Sequence, residues 1–215
     1  MIKNNKRTLI ITSIVTLLPI LIGIFLWEAL PDKVATHWNF KGEADGWSSK
    51  AFAVFFFPSF IFAINWICVF ASSLDKKNVG QNNKILNIVL WIIPVISLFT
   101  SSVVYATALG YTFNITVITF ILIGLAFTII GNYMPKIKQN RTLGIKIKWT
   151  LKSEENWNAT HRFCGKLWVV GGIALILCAF IPPHFAEIIF VASVLLLVIV
   201  PVAYSYIYHK KKSRH

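Results

Sequence analysis

Long uncharged runs separated by short polar ones set the pattern of this chain. Apolar residues continue, without period-two alternation, over 8–27, 51–74, 85–135, 167–181 and 188–208. A helix rises about 1.5 Å per residue, so ~20 mostly apolar residues cross the ~30 Å hydrocarbon core of a bilayer. The run 85–135 holds 51 residues, too many for one crossing, and "GYTFN" at 110–114 is the natural turn inside it. "PPHFAE" at 182–187 is read as the turn before the last run. The runs are continuous and of helix length, which argues against strands. The pattern predicts an all-α integral membrane protein with six transmembrane helices, the fifth extended at its N-terminal side. Two polar interruptions stand out, at 31–50 and 134–162. The expected organisation is an N-terminal two-span unit, 1–84, and a C-terminal four-span unit, 85–215.

Charge gives the spans a direction. Of 215 residues, 56% are hydrophobic and 13% charged, against about 25% charged in soluble domains. Lys and Arg number 21, Asp and Glu 8, for a net charge of +13. With the N-terminus inside, only Lys33, Lys41 and Lys50 fall outside, and the other eighteen of the 21 fall inside. Cytoplasmic loops carry such an excess. Both termini are therefore expected inside, with 31–50 a short outward loop and 134–162 an inward basic loop. The surplus reads as a topology signal and an attraction to anionic lipid. Membrane lipid is thus an expected partner, and direct nucleic-acid binding is not expected. The first run has a basic start, but its apolar core exceeds the 7–15 residues of a signal peptide and no small-x-small site follows. It is read as a retained span.

Candidate chemistry is sparse. Cys68, Cys164 and Cys178 lie in or beside apolar runs, and no CxxC pair occurs. His37 and His161 fall on opposite sides of the membrane in this topology, so no metal site is assigned. HExxH, GxSxG, P-loop and GxGxxG motifs are missing. No catalytic residue, enzyme activity or cofactor is therefore expected. The spans hold no ionisable residue at depth, where coupled carriers usually keep one. A transporter or exporter of a toxin or lipid-like substrate stands as the alternative to a sensor. Pro19, Pro58, Pro94 and Pro201 predict kinks. Asn65, Asn132, Thr100, Ser101 and Ser102 predict hydrogen bonds between helices.

The outward loop reads "LPDKVATHWNFKGEADGWSSK" over 30–50. Val34, Thr36, Trp38 and Phe40 fall at period two, which predicts a short strand. Lys41-Gly42 and Asp45-Gly46 are turn signals. Ser48 or Ser49 is the expected N-cap of the second helix. His37, Trp38, Asn39, Gly42, Asp45, Gly46 and Trp47 form the candidate recognition surface. A purely interfacial hairpin, with its tryptophans at headgroup level, is the competing reading. In the inward loop, residues 134–151 read as irregular. Ser153 is the expected N-cap, with Glu154 and Glu155 in the first turn. Trp157, His161, Cys164 and Trp168 then fall on one helical face, and Arg162 and Lys166 on another.

Both loops resemble known signatures. The outward one is similar to a membrane-associated domain of unknown function with the pattern LPxxVPxHxxxxGxxDGWxSK. The stretch "GNYMPKIKQNRTLGIKIKWTLKSEENWNATHRFCGKLWVVGG" resembles the SdpI family, immunity proteins against the sporulation-delaying-protein toxin. Pro31, His37, Asn39, Gly42, Asp45, Gly46 and Trp47 match the outer pattern. Asn140, Arg141, Gly144, Trp149, Thr150, Leu151, Trp157, Thr160, His161 and Arg162 match the inner one. Ala35 departs from the usual Pro, and Lys146-Ile147-Lys148 from the commoner Arg-Thr-Pro. The resemblance implies a multi-pass protein of the bacterial plasma membrane. It also implies immunity to a secreted toxin peptide, and signalling that holds an ArsR-type transcriptional repressor at the membrane. In that case Asn140, Arg141, Gly144, Trp149, Thr150, Trp157, His161 and Arg162 are the candidate cytoplasmic docking residues.

Overall fold

The computed structural model describes residues 5–212. Six helices in it are long and apolar enough to cross a membrane. The first is α1 (Lys6–Phe25), followed by strands β1 (Lys33–Trp38) and β2 (Ala44–Ser49). A π-helical turn, Phe52–Phe56, leads into α2 (Phe57–Leu74). A 3-10 turn at Lys76–Gly80 precedes α3 (Asn83–Ala108) and α4 (Ile115–Tyr133). After a 3-10 turn at Met134–Lys136 come the short α5 (Lys148–Lys152), α6 (Glu154–Cys178) and α7 (Pro183–Lys212). The fold is thus the six-span helical architecture that the apolar runs predict.

Burial along these helices runs opposite to that of a soluble bundle. Ile14, Leu21, Ile67, Val170 and Ile188 face outward, while Thr12, Thr16, Ser97 and Ser205 are buried. Lipid solvates an outward Leu or Ile at no cost. What holds such helices together is close packing and hydrogen bonding between small and polar groups.

The chain folds into two units, one of Met1–Leu74 with Asn83–Asn114, the other of Asp75–Asn82 with Ile115–His215. In the first, α1 buries Thr12, Thr16, Pro19 and Gly23, spaced i, i+4, i+7, i+11 on one face. Helix α3 answers with donors: Ser97 Oγ donates to the Thr16 carbonyl at 3.0 Å and the Tyr105 hydroxyl to the Pro19 carbonyl at 3.0 Å. The cluster at 100–102 behaves differently from the sequence reading. Ser102 Oγ donates back to Leu98 O in its own helix, and buried Ser101 Oγ has no hydrogen-bond partner.

The π-turn has a sequence cause. Pro58 has no N–H to give the carbonyl four residues back, and its ring would strike that carbonyl. The backbone widens instead, and the Phe57 N–H bonds to Phe52 O, five residues back. Val34 is buried with Leu30, Ala53, Val54, Val104 and Tyr105, which seats the base of the β1–β2 hairpin on the helices of this unit.

In the second unit, α4 and α6 meet through glycines seven residues apart on each helix. A Cβ on Gly124 would sit 2.5 Å from the Gly172 carbonyl oxygen, and one on Gly131 would sit 2.9 Å from that of Gly165. Helices α6 and α7 are joined by a buried group: Asn156 Nδ2 donates to Ser205 O at 2.9 Å and Ser205 Oγ to Asn156 Oδ1 at 2.7 Å. Two boundaries differ from the sequence reading. Residues 134–151 are not wholly irregular, because Thr150 folds a helical turn there by bonding Ile145 O and Ile147 O. At 182–187 only Pro182 stays outside helix, since Pro183 begins α7 at a position where a missing N–H costs nothing.

Candidate functional site

The hairpin pairs antiparallel, with Ala35 opposite Trp47, His37 opposite Gly46 and Trp38 opposite Ala44. The register skips at Thr36, so a bulge lies in β1. Asp45-Gly46, read from sequence as a turn, lies within β2. The reversal is made by Asn39–Glu43 instead. There Asn39 Oδ1 accepts from the N–H groups of Lys41 at 2.9 Å and Glu43 at 3.1 Å, and Gly42 takes a left-handed φ of +79°. Gly46 gives the other strand room: a Cβ there would lie 2.9 Å from His37 Cβ. Asn39, Gly42 and Gly46 thus shape the hairpin rather than present a group.

Three of the candidate side chains are displayed. His37 Nδ1 bonds Asp45 Oδ1 at 2.5 Å across the strands, and both are exposed. Trp47 is 57% exposed. Trp38 turns the other way and packs against the Leu30–Val34 cluster.

Lys50, read from sequence only as an outward charge, fastens the hairpin. Its Nζ lies 3.3 Å from Asp32 Oδ1, 3.5 Å from the carbonyls of Trp27 and Leu30, and 4.9 Å over the Trp27 ring. It thereby binds two carbonyls of the turn that follows α1. The Lys50→Met variant keeps the stem and removes the charge. It is expected to lose about 1 kcal/mol of stability, read as a lower thermal midpoint of purified protein; an unchanged midpoint refutes the clamp.

The loop 134–153 is organised around four buried side chains. Asn140 Oδ1 accepts from the N–H groups of Thr142 at 2.8 Å and Leu143 at 2.6 Å. Thr150 makes the helical turn described above. Trp157 Nε1–H donates to Ile137 O at 2.7 Å. His161 lies stacked against Trp157, ring centroids 4.0 Å apart. His161 Nδ1 faces Trp157 O at 2.8 Å, and Nε2 faces the Ile145 N–H at 3.0 Å. A carbonyl only accepts and an amide N–H only donates. The proton is therefore on Nδ1, and the ring is neutral. Gly144, at φ +94°, brings its backbone against this ring, where a Cβ would collide with Nε2.

Asn140, Thr150, Trp157 and His161 are thus enclosed and hold the loop on α6. Arg141 and Arg162 are exposed, and Trp149 is partly covered by Tyr206, ring centroids 5.0 Å apart. The helix itself starts as its sequence predicts, with Ser153 Oγ accepting from the Asn156 N–H at 3.1 Å. Among the described residues no His, Cys, Asp and Glu cluster could hold a metal ion.

Comparison with known proteins bears on both regions. A domain of unknown function, DUF1648, matches residues 14–62. The SdpI/YfhL protein family matches residues 136–205. Over that segment the chain is similar to the SdpI/YfhL family. The immunity protein SdpI of Bacillus subtilis (strain 168) is 29% identical over 208 residues, covering 94% of this chain and 96% of that protein. No solved structure matches. Six apolar helices and these similarities make the chain a multi-pass plasma-membrane protein.

The SdpI/YfhL segment is held by residues outside both matched ranges. Asp75 Oδ1 caps the 3-10 turn through the Lys77 N–H at 3.0 Å, and its Oδ2 accepts from the Arg141 N–H at 2.6 Å. Asn78 Nδ2 donates to Thr142 Oγ1 at 2.7 Å. Gln81 pairs with Lys138 like a strand neighbour, donating to its carbonyl at 2.7 Å and accepting from its N–H at 3.1 Å. The spacing of these three is the signal that sequence reading passed over. A 3-10 helix has about 3.0 residues per turn, so positions i, i+3 and i+6 share one face. Asp75→Ala is expected to free the Arg141 amide, at a cost of about 1–3 kcal/mol for a charged acceptor. Faster hydrogen exchange at 138–143 checks this, and unchanged exchange there refutes it.

Proposed function

We propose that this chain is a membrane immunity protein whose hairpin recognises a secreted peptide toxin. In this reading residues 31–50 face outward, and 134–162 face the cytosol. The inner segment holds an ArsR-type transcriptional repressor at the membrane when toxin is present. The carrying observation is an exposed aromatic on a rigid mount. Trp47 stands 57% exposed beside the His37–Asp45 pair, on a hairpin whose base is buried. Large aromatics on pre-ordered backbones are the usual anchors of peptide binding. Immunity is the role that the Bacillus subtilis relative is named for, and that relative aligns along nearly the whole chain. On the inner side, Arg141 and Arg162 are the docking residues left accessible to a partner.

The test is survival. A Bacillus subtilis strain lacking its own SdpI and expressing this chain should need at least tenfold more sporulation-delaying toxin for half-inhibition than the empty strain. Trp47→Ala should return the dose to that of the empty strain, with equal protein in the membrane. Full protection by Trp47→Ala, or none by the parent, overturns the reading. For the relay, Arg162→Ala should abolish co-fractionation of the repressor with membranes while the variant itself stays there; unchanged co-fractionation counts against docking at this face.

A further inference from the structure

Three irregularities of the first unit converge on one cavity of about 370 Å³, within the ~300–1,000 Å³ range of ligand sites. The first is the π-turn Phe52–Phe56, which widens the helix where Phe52 lines the space. Such turns recur at functional sites. The second is the bulge in β1, which aims Thr36 at the same space and places its Oγ1 3.0 Å from Ser48 Oγ. Bulges re-aim side chains in this way. The third is Ser101, 2% exposed, a residue that lines the cavity and whose hydroxyl has no hydrogen-bond partner.

We propose that this cavity receives an apolar side chain of a peptide, with an adjoining backbone amide bonding to Ser101. The inference rests on the peptide-recognition reading above and names the place and the chemistry of capture. Phe52, Phe57 and Val104 supply the apolar wall, and none of the lining residues carries a charge. A charged side chain would therefore be desolvated there without compensation. A hydrocarbon tail would fill the space but leave the Ser101 hydroxyl unpaired, whereas an amide satisfies it. The cavity is bordered by a two-stranded sheet, and each of its strands pairs on one side only. Peptides that add to a sheet edge bond through their backbone and send alternate side chains into pockets.

The experiment uses the full chain with Cys68→Ser in nanodiscs, since Cys68 is the exposed thiol and Cys164 and Cys178 are buried. S101C is compared with S97C, a buried serine whose hydroxyl bonds Thr16 O rather than lining the cavity. N-ethylmaleimide should modify S101C at least tenfold faster than S97C. Saturating N-acetyl-Leu-Phe-Leu-amide should slow S101C at least fivefold and leave S49C, on the exposed strand, unchanged. Equal rates at S101C and S97C overturn the proposal. So does protection by dodecanol with none by the tripeptide, which would assign the cavity to lipid. Immunity is not needed for this readout. A strain left unprotected sinks the immunity reading alone, while a protected strain whose S101C the tripeptide fails to shield sinks the cavity alone.

Discussion

Gly172→Leu is expected to cost at least ~3 kcal/mol and to leave no monodisperse protein in mild detergent. Overpacking a core usually costs about 1–3 kcal/mol, because neighbouring side chains shift. Here the neighbour is backbone. A Cβ at Gly172 would lie 2.5 Å from the Gly124 carbonyl oxygen and 2.5 Å from Thr128 Oγ1. Thr128 Oγ1 is itself held on Gly124 O at 2.8 Å. Relief requires α6 to move bodily from α4, which would also open the Gly131–Gly165 contact two turns away. The comparison is Ala174→Leu, an exposed position on the same helix, where lipid accepts the larger side chain. Size-exclusion profiles and thermal midpoints of the two variants decide. A Gly172→Leu protein as stable as Ala174→Leu refutes the glycine seam.

His161→Ala is expected to release the loop 138–150 while the six spans stay folded. The ring closes a circuit: it accepts from the Ile145 N–H, donates to Trp157 O and stacks on the indole that bonds Ile137 O. Removing it strands a donor and leaves a hole beside Gly144. Each unmet donor costs about 1–3 kcal/mol, and the lost packing adds to that. Trypsin should cut after Lys146 and Lys148 at least tenfold faster in the variant, in nanodiscs. His161→Gln keeps an acceptor oxygen and should recover part of the protection. Cleavage within twofold of the parent for His161→Ala would show that the loop is held by something else.

The spans were legible because lipid imposes one rule, continuous apolar length, and the sequence states it openly. The helix start at Ser153 and the strand from Val34 were legible because capping and alternation are local, although the strand stops at Trp38 and leaves Phe40 in the turn. What escaped depends on partners far along the chain. Asp45-Gly46 has turn composition, yet it lies in a strand, because His37 across the sheet takes the space and the carboxylate. Ser97 and Tyr105, rather than Thr100 to Ser102, bond to α1, and only the helix face selects them. Of the candidates at 140–162, Asn140, Thr150, Trp157 and His161 bear on loop architecture. Arg141 and Arg162 remain open to a partner. Motif residues of both kinds look alike in a string of letters.

The Asp75, Asn78 and Gln81 face carries an evolutionary consequence. Connections between helices usually tolerate insertions, because nothing counts their residues. This one is a ruler with three marks. Adding or deleting a single residue between Asp75 and Gln81 would swing the later marks round by about 120°, away from Thr142 and Lys138. Related chains that keep the loop 134–153 should therefore conserve the length of this connector even where its letters drift.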